Sequence, residues 1–152
     1  MARVQLALNV SDIDEAIGFY SKLFGVEPHK VRDDYANFVV NDPPLKLVLI
    51  ANGGEAGTMN HVGIEVASTN EVIGAAERAA AAGLSTTLQE STSCCYAIQD
   101  KVWVHGPEIP WEIYTVLDEN GEAGRMAQIA EPHQLINVAA DGGSCGIDGT
   151  CC

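Results

Sequence analysis

Apolar residues alternate with other residues at the start of the chain and again from residue 61, a pattern typical of half-buried β-strands. Each stretch then passes into the apolar spacing of an amphipathic helix. Ser11 or Asp12 can cap the first helix and Gly25 can end it, whereas the second is predicted near 71–82 and ends at Gly83. The apolar stripe of the first helix is predicted to consist of Ile13, Ile17, Tyr20 and Phe24.

An internal repeat relates the two stretches, because the chain matches itself without a gap after a shift of 56 positions. Residues 5–10 align with 61–66, and each copy continues through a helix into three further strands. One helix and one amphipathic sheet bury too little alone, so we predict an α+β domain over 1–117 in which two βαβββ modules, about 2–51 and 59–117, pair. The strands after the helices are predicted near 26–31, 35–40, 45–50, 86–90, 96–104 and 111–116.

Strand patterning stops beyond about Leu117. Residues 118–152 are rich in Gly and Asp, contain three cysteines and show neither helical nor strand periodicity. We expect them to form a flexible tail. Its cysteines are Cys145, Cys151 and Cys152.

The acidic composition narrows the classes of partner. The formal net charge is −13, and 8 Lys and Arg against 21 acidic residues cannot provide the basic surface that nucleic acid requires. No apolar run approaches the roughly 18 residues of a membrane span. The N-terminus also lacks a signal-peptide pattern. We therefore expect a cytoplasmic protein with no membrane and no nucleic-acid partner.

The strand pattern places three candidate metal ligands on one face. Side chains that point away from the first helix lie on the opposite, concave face, and the repeat puts Gln5 and His61 at equivalent places there. Small neighbours, Ala7 and Gly63, leave room for a ligand. The last strand adds Glu112, a carboxylate that is costly in an apolar strand without a partner.

These three side chains offer one amide oxygen, one imidazole and one carboxylate, close to the ligand set of iron(II) oxygenases with Gln in place of a His. Aligning Pro110 with Pro44 makes Glu112 equivalent to Lys46, so a fourth ligand is absent. Alternatively, His61 is an ordinary half-buried histidine and Glu112 pairs with Lys46 or Lys101. The remaining histidines are expected to be solvated: His29, His105 and His133.

Four of the five cysteines form two adjacent pairs, which in a reducing cytosol indicates metal, metalloid or redox chemistry. Neighbouring strand side chains point to opposite faces, so Cys94 and Cys95 need a loop or bulge to act together, and the Ser/Thr run at 91–93 permits one. Two thiolates can hold one trivalent arsenic that still carries a carbon substituent. The alternatives are an inert buried pair and a strained adjacent disulfide.

Five segments carry a family resemblance, namely 3–8, 35–38, 43–49, 92–104 and 111–114. Together they resemble the family of carbon–arsenic lyases and cadmium-induced proteins, within the vicinal oxygen chelate superfamily (glyoxalase, bleomycin resistance and extradiol dioxygenase proteins). The resemblance implies paired modules that curl around a concave metal site, with Fe(II) at Gln5, His61 and Glu112 and substrate-binding, catalytic thiols at Cys94 and Cys95. It also implies an organoarsenical substrate and O₂, so that a methyl- or aryl-arsenical is cleaved to arsenite and gives organoarsenical resistance.

Two other functions remain open on the sequence alone. A cadmium- or arsenite-binding resistance protein would need the thiols but not the three candidate ligands. Another metal-dependent glyoxalase-like enzyme would need the ligands but not the thiols. Tyr96 and Lys101 are possible accessory groups that orient or protonate intermediates, although we expect both to be surface residues. A homodimer is possible, and the modules can pair within one chain or be swapped between two.

Overall fold

The computed structural model describes residues 2–121 and contains the predicted βαβββ order twice. The eight strands form one curled sheet in the order β2-β3-β4-β1-β5-β8-β7-β6, with the two helices packed against it. The elements are β1 Arg3–Val10, α1 Ile13–Phe24, β2 Lys30–Arg32, β3 Tyr35–Val40, β4 Leu45–Ala51, β5 Met59–Glu65, α2 Thr69–Ala81, β6 Thr86–Cys94, β7 Ala97–Val104 and β8 Trp111–Asp118.

The first helix begins and ends where its sequence predicts. Asp12 is the N-cap, since its Oδ1 accepts the Glu15 backbone N–H at 2.8 Å. Gly25 ends the helix with a φ of 66°, a left-handed conformation that glycine adopts without steric cost. The predicted apolar stripe and Leu6 and Leu8 of β1 belong to one hydrophobic core that is centred on β3 and β4. This packing leaves the other face of β1 for the concave side of the sheet.

Two strands differ most from their predicted lengths. β2 covers only 30–32, and the residues before it lead out of α1 and include Pro28, which has no N–H to donate. β6 continues to Cys94 instead of stopping near 90, with an irregular register between Gln89 and Thr92. This irregularity includes Ser91, whose φ is +47°.

The two modules join at β1 and β5, which pair antiparallel in the middle of the sheet. Gln5 lies opposite Gly63 and Ala7 opposite His61, so the predicted equivalence of Gln5 and His61 agrees with the register. Each module also pairs its first strand in parallel with its last, β1 with β4 and β5 with β8. Neither helix in the described part of the chain is long and apolar enough to cross a membrane.

The predicted equivalence of Glu112 with Lys46 is wrong by two residues. Gly63 pairs with Glu112, and Ala7, its counterpart in the repeat, pairs with Val48. Relative to the repeat, β8 is therefore shifted by two residues along β5 compared with the position of β4 along β1. The expected absence of a fourth ligand still holds at this place, because Val48 carries no donor atom.

Candidate functional site

The side chains of Gln5, His61 and Glu112 meet on the concave face, and all three are buried. Gln5 Nε2 lies 3.0 Å from Glu112 Oε2 and 3.2 Å from His61 Nε2. His61 Nε2 lies 3.3 Å from the same Glu112 oxygen. Neighbouring ligands of an octahedral cation, each about 2.1 Å from the metal, are themselves about 3 Å apart. The three side-chain positions therefore fit a metal ion with further open positions, provided that Gln5 Oε1 takes the place of Nε2.

The hydrogen bonds around His61 leave the correct nitrogen available for a metal. Its Nδ1 donates to Asn60 Oδ1 at 2.7 Å, so Nε2 keeps its lone pair toward Gln5 and Glu112. The amide of Asn60 is oriented in turn, since its Nδ2 donates to Asn9 Oδ1 at 3.0 Å. Sequence reasoning missed this role of Asn60, for which adjacency to His61 was the available signal.

The orientation of Gln5 comes from Tyr114, whose hydroxyl donates to Gln5 Oε1 at 2.5 Å. Rotating the amide by half a turn would place Oε1 toward His61 and Glu112, as a metal ligand requires. Burial, followed by the charges of Glu65 and Glu112, raises the pKa of Tyr114 well above its usual value. Its hydroxyl therefore stays protonated.

Lys101 is a buried partner of Glu112, so the expectation that it is a surface residue is wrong. Its side chain is 0% exposed, and its Nζ donates to Glu112 Oε1 at 2.6 Å, while the other carboxylate oxygen faces Gln5 and His61. Burial opposes the charge of Glu112, but Lys101 and then His61 outweigh it, so the pKa of Glu112 lies well below its usual range. Burial likewise opposes the charge of Lys101, yet Glu112 and then Cys94 hold its pKa above the usual value.

Cys94 and Cys95 lie at a tight hairpin turn between β6 and β7, which supplies the predicted loop. Cys94 pairs with Ala97, and the two residues between them form the turn. Both cysteines are thiols rather than a disulfide, and their sulfurs lie 3.2 Å apart. The hydrogen bond with Cys94, together with burial, raises the pKa of Cys95 well above the usual value for a thiol. Cys95 therefore holds its proton more firmly than an exposed thiol does.

One cavity of about 430 Å³ contains both sets of groups. The three candidate ligands and the two cysteines line it, and Tyr35, Val48, Ile50 and Trp103 supply much of the remaining wall. Cys95 packs against the apolar part of this wall. Lys101 and Glu112 are also close enough to Cys95 for their charges to affect its pKa.

The other predictions concern the exposure of Tyr96 and of the remaining histidines, and only some are confirmed. Tyr96 is half-buried, and its hydroxyl donates to Asp34 Oδ1 at 2.7 Å, so it is not a free surface group. His29 is exposed as predicted, but His105 is half-buried and lies 3.0 Å from the Thr87 hydroxyl. The predicted tail cysteines and His133 lie outside the described residues.

Residues 3–121 match the family model described as the Glyoxalase/Bleomycin resistance protein/Dioxygenase superfamily. The chain belongs to this superfamily. It is 48% identical to a trivalent organoarsenical cleaving enzyme of Thermomonospora curvata over 100% of both chains. It is 54% identical to the cadmium-induced protein CadI of Mycobacterium tuberculosis over 82% of each.

Solved structures confirm the fold. An extradiol ring-cleaving dioxygenase from B. fuscum superimposes with a TM-score of 0.55 at 17% identity, covering 77% of this chain and 34% of the dioxygenase. At this identity the likeness concerns the architecture alone. The family model and the named relatives, by contrast, confirm the predicted superfamily and its two groups, the arsenical-cleaving and the cadmium-induced proteins.

Proposed function

We propose that this protein is an iron(II)-dependent dioxygenase that uses O₂ to cleave the carbon–arsenic bond of trivalent organoarsenicals, and so confers organoarsenical resistance. The observation that carries the proposal is the single cavity lined by both a nitrogen–oxygen donor set and a pair of thiols. Thiolates suit a soft acceptor such as arsenic(III), whereas the amide, imidazole and carboxylate suit iron(II). The name of the Thermomonospora curvata relative supports the same substrate class.

In this proposal Cys94 and Cys95 capture the substrate. A trivalent arsenical R–As(OH)₂ exchanges its two hydroxyls for two As–S bonds, and each thiol proton leaves in a water molecule. No electrons are transferred in this step, and the carbon substituent stays on arsenic. The apolar wall of Tyr35, Val48 and Ile50, against which Cys95 packs, surrounds that substituent and limits the access of water.

Gln5, His61 and Glu112 would hold the metal. When bound, iron(II) supplies the binding and reduction of O₂, which amino-acid side chains cannot perform alone. Lys101 holds one oxygen of Glu112 and so keeps the other directed at the donor cluster. Asn60 orients the His61 ring in a similar way, by accepting a hydrogen bond from its Nδ1.

The overall reaction balances with one O₂ when the substituent is methyl. Methylarsenite, CH₃As(OH)₂, and O₂ give arsenite, As(OH)₃, and formaldehyde. The carbon–arsenic bond breaks, arsenic gains an oxygen and stays trivalent, and the carbon loses the four electrons that O₂ gains.

The test compares arsenite release with and without O₂ after anaerobic loading with iron(II) and methylarsenite. We expect release only when O₂ is admitted, and none from Cys94→Ser or Cys95→Ser at iron occupancy matched to the wild type. A serine hydroxyl is a hard, weakly acidic group and cannot replace the soft ligand, whereas the iron should be held as before. Equal release without O₂, or release that persists in either variant, would contradict the proposal.

A second candidate is a cadmium- or arsenite-binding protein without catalysis, favoured by the name of the Mycobacterium tuberculosis relative and by the adjacent thiols. It predicts stoichiometric binding that is lost in the serine variants, but no O₂-dependent product from the wild type. The same experiment therefore separates the two functions. A glyoxalase-like isomerase is less favoured, because Val48 stands at the register position of a fourth ligand.

A further inference from the structure

The turn that carries the thiols adopts an unusual backbone conformation. Cys95 and Tyr96 have φ values of +54° and +62°, in the left-handed region that favours glycine and asparagine. Two-residue hairpin turns of this kind are ordinarily built from Asn-Gly or Asp-Gly. A bulky pair in this conformation persists only where surrounding groups hold it.

The groups that hold this turn come from the other module. Lys30 Nζ donates to the Tyr96 carbonyl at 3.0 Å, and the Tyr96 hydroxyl donates to Asp34 Oδ1 at 2.7 Å. The Arg32 guanidinium lies 5.3 Å from the centre of the Tyr96 ring. Lys30 is fixed in turn by the Glu119 carboxylate at 3.1 Å. Strand β2 and the turn that follows it thus hold the hairpin of β6 and β7 from the opposite edge of the curled sheet.

This conformation has a direct consequence for the sulfurs. Adjacent side chains in an extended strand point to opposite faces, whereas here Cys94 and Cys95 bring their sulfurs within 3.2 Å of each other at the cavity wall. Tyr35 adds a ring contact, with its centre 5.8 Å from that of Tyr96. The separation of the thiols therefore depends on contacts made by Tyr96.

We propose that Lys30, Asp34 and Tyr96 form a clasp that positions the Cys94–Cys95 pair for bidentate capture of arsenic. The inference rests on the proposed function, in which both thiols bind one arsenical. None of the three clasp residues lines the cavity, and each acts through the turn. The clasp makes no contact with Gln5, His61 or Glu112, so it should not affect metal binding.

Chelation of arsenic by both thiols and alkylation of one thiol depend differently on the conformation of the turn. Two As–S bonds to one arsenic form only when both sulfurs face the same point. A single bond from one thiol to N-ethylmaleimide needs only an accessible sulfur. Loosening the turn should therefore weaken arsenical binding and speed alkylation. General damage to the cavity would reduce iron binding as well.

The experiment uses Tyr96→Phe, which removes the hydroxyl and keeps the ring, and Asp34→Ala, which removes its acceptor from the other module. Tyr20→Phe, a tyrosine of α1 remote from the turn, is the matched control. All proteins also carry Cys145→Ser, Cys151→Ser and Cys152→Ser, so that Cys94 and Cys95 are the cysteines that remain. The measurements are the anaerobic affinity for phenylarsenite, the alkylation rate of the 94–95 pair by mass spectrometry, and iron stoichiometry.

We expect both clasp variants to lose about tenfold in phenylarsenite affinity, the loss that corresponds to one hydrogen bond to a charged group. Alkylation should become several-fold faster, with iron binding unchanged and Tyr20→Phe like the starting protein. The double variant should be no worse than either single one. Wild-type affinity and alkylation in both clasp variants, or a parallel loss of iron, would overturn the clasp. Failure of the starting protein to bind phenylarsenite would instead overturn the proposed function.

Discussion

Replacing Lys101 by methionine should strongly destabilise the metal-free protein. The substitution keeps most of the side-chain volume but removes the ammonium that lies 2.6 Å from Glu112. The carboxylate is 4% exposed, so water cannot take the place of the lost partner. Breaking a buried ion pair from one side costs about 3–5 kcal/mol, because a charge is left buried without compensation. For a domain of this size the cost corresponds to a fall in melting temperature of roughly 10–20 °C.

Denaturant unfolding of the apo protein measures this cost, with two companion variants. Lys101→Met/Glu112→Gln should recover much of the lost stability, because the orphaned charge is gone. Lys46→Met is the matched control: its Nζ lies 3.2 Å from Glu65, whose side chain is 20% exposed, so its loss should cost clearly less. A cost within about 1 kcal/mol of zero for Lys101→Met, or no recovery in the double variant, would refute this account.

The pH dependence of the stability that the Lys101–Glu112 pair contributes follows from the directions of the two pKa shifts. The folded pKa of Glu112 is lowered, so its charged form contributes stability above its unfolded pKa of about 4.3, and this is lost as the pH falls toward the folded value. The folded pKa of Lys101 is raised, so its contribution is complete below about pH 10 and is lost only at higher pH. The difference between wild type and Lys101→Met should thus be full at pH 7 and shrink below about pH 4.

Two further predictions concern the candidate ligands. His61→Ala and Glu112→Ala should each reduce bound iron(II) from about one per chain to a small fraction, because each removes one of three donors; near wild-type stoichiometry by metal analysis in both would show that iron binds elsewhere. Gln5→His should retain iron within about tenfold of the wild-type affinity, since imidazole is the commoner ligand in such sets; loss of iron from a folded Gln5→His protein would remove Gln5 from the ligand set.

The sequence was sufficient for the fold and the concave face because both depend on periodic signals. Alternation with a period of two assigns faces, and the 56-residue shift superimposes one strand on another, so the sequence alone pairs Gln5 with His61. The offset of two at Glu112 arose because proline precedes both β4 and β8, although the two strands enter their ladders at different points. Sequence spacing alone does not contain that register.

The conformation of the Cys95–Tyr96 turn and the burial of Lys101 could not be predicted from neighbouring residues in the sequence. Cys95 and Tyr96 lack the glycine or asparagine that marks a two-residue turn, and the groups that hold them lie more than 60 positions away. Lysine is almost never fully buried, and the burial of Lys101 depends on a carboxylate on the neighbouring strand. Neither environment can be read from the residues next to it.

The register of the repeat also shows where the two halves of the domain differ around the candidate site. A perfectly duplicated module would place a donor at position 48 to match Glu112, and a cation between them would be enclosed from both sides. Valine at that position supplies no donor, and Cys95 packs against the same apolar wall. The site is therefore asymmetric, with hard nitrogen and oxygen donors on one side and a soft sulfur group on the other.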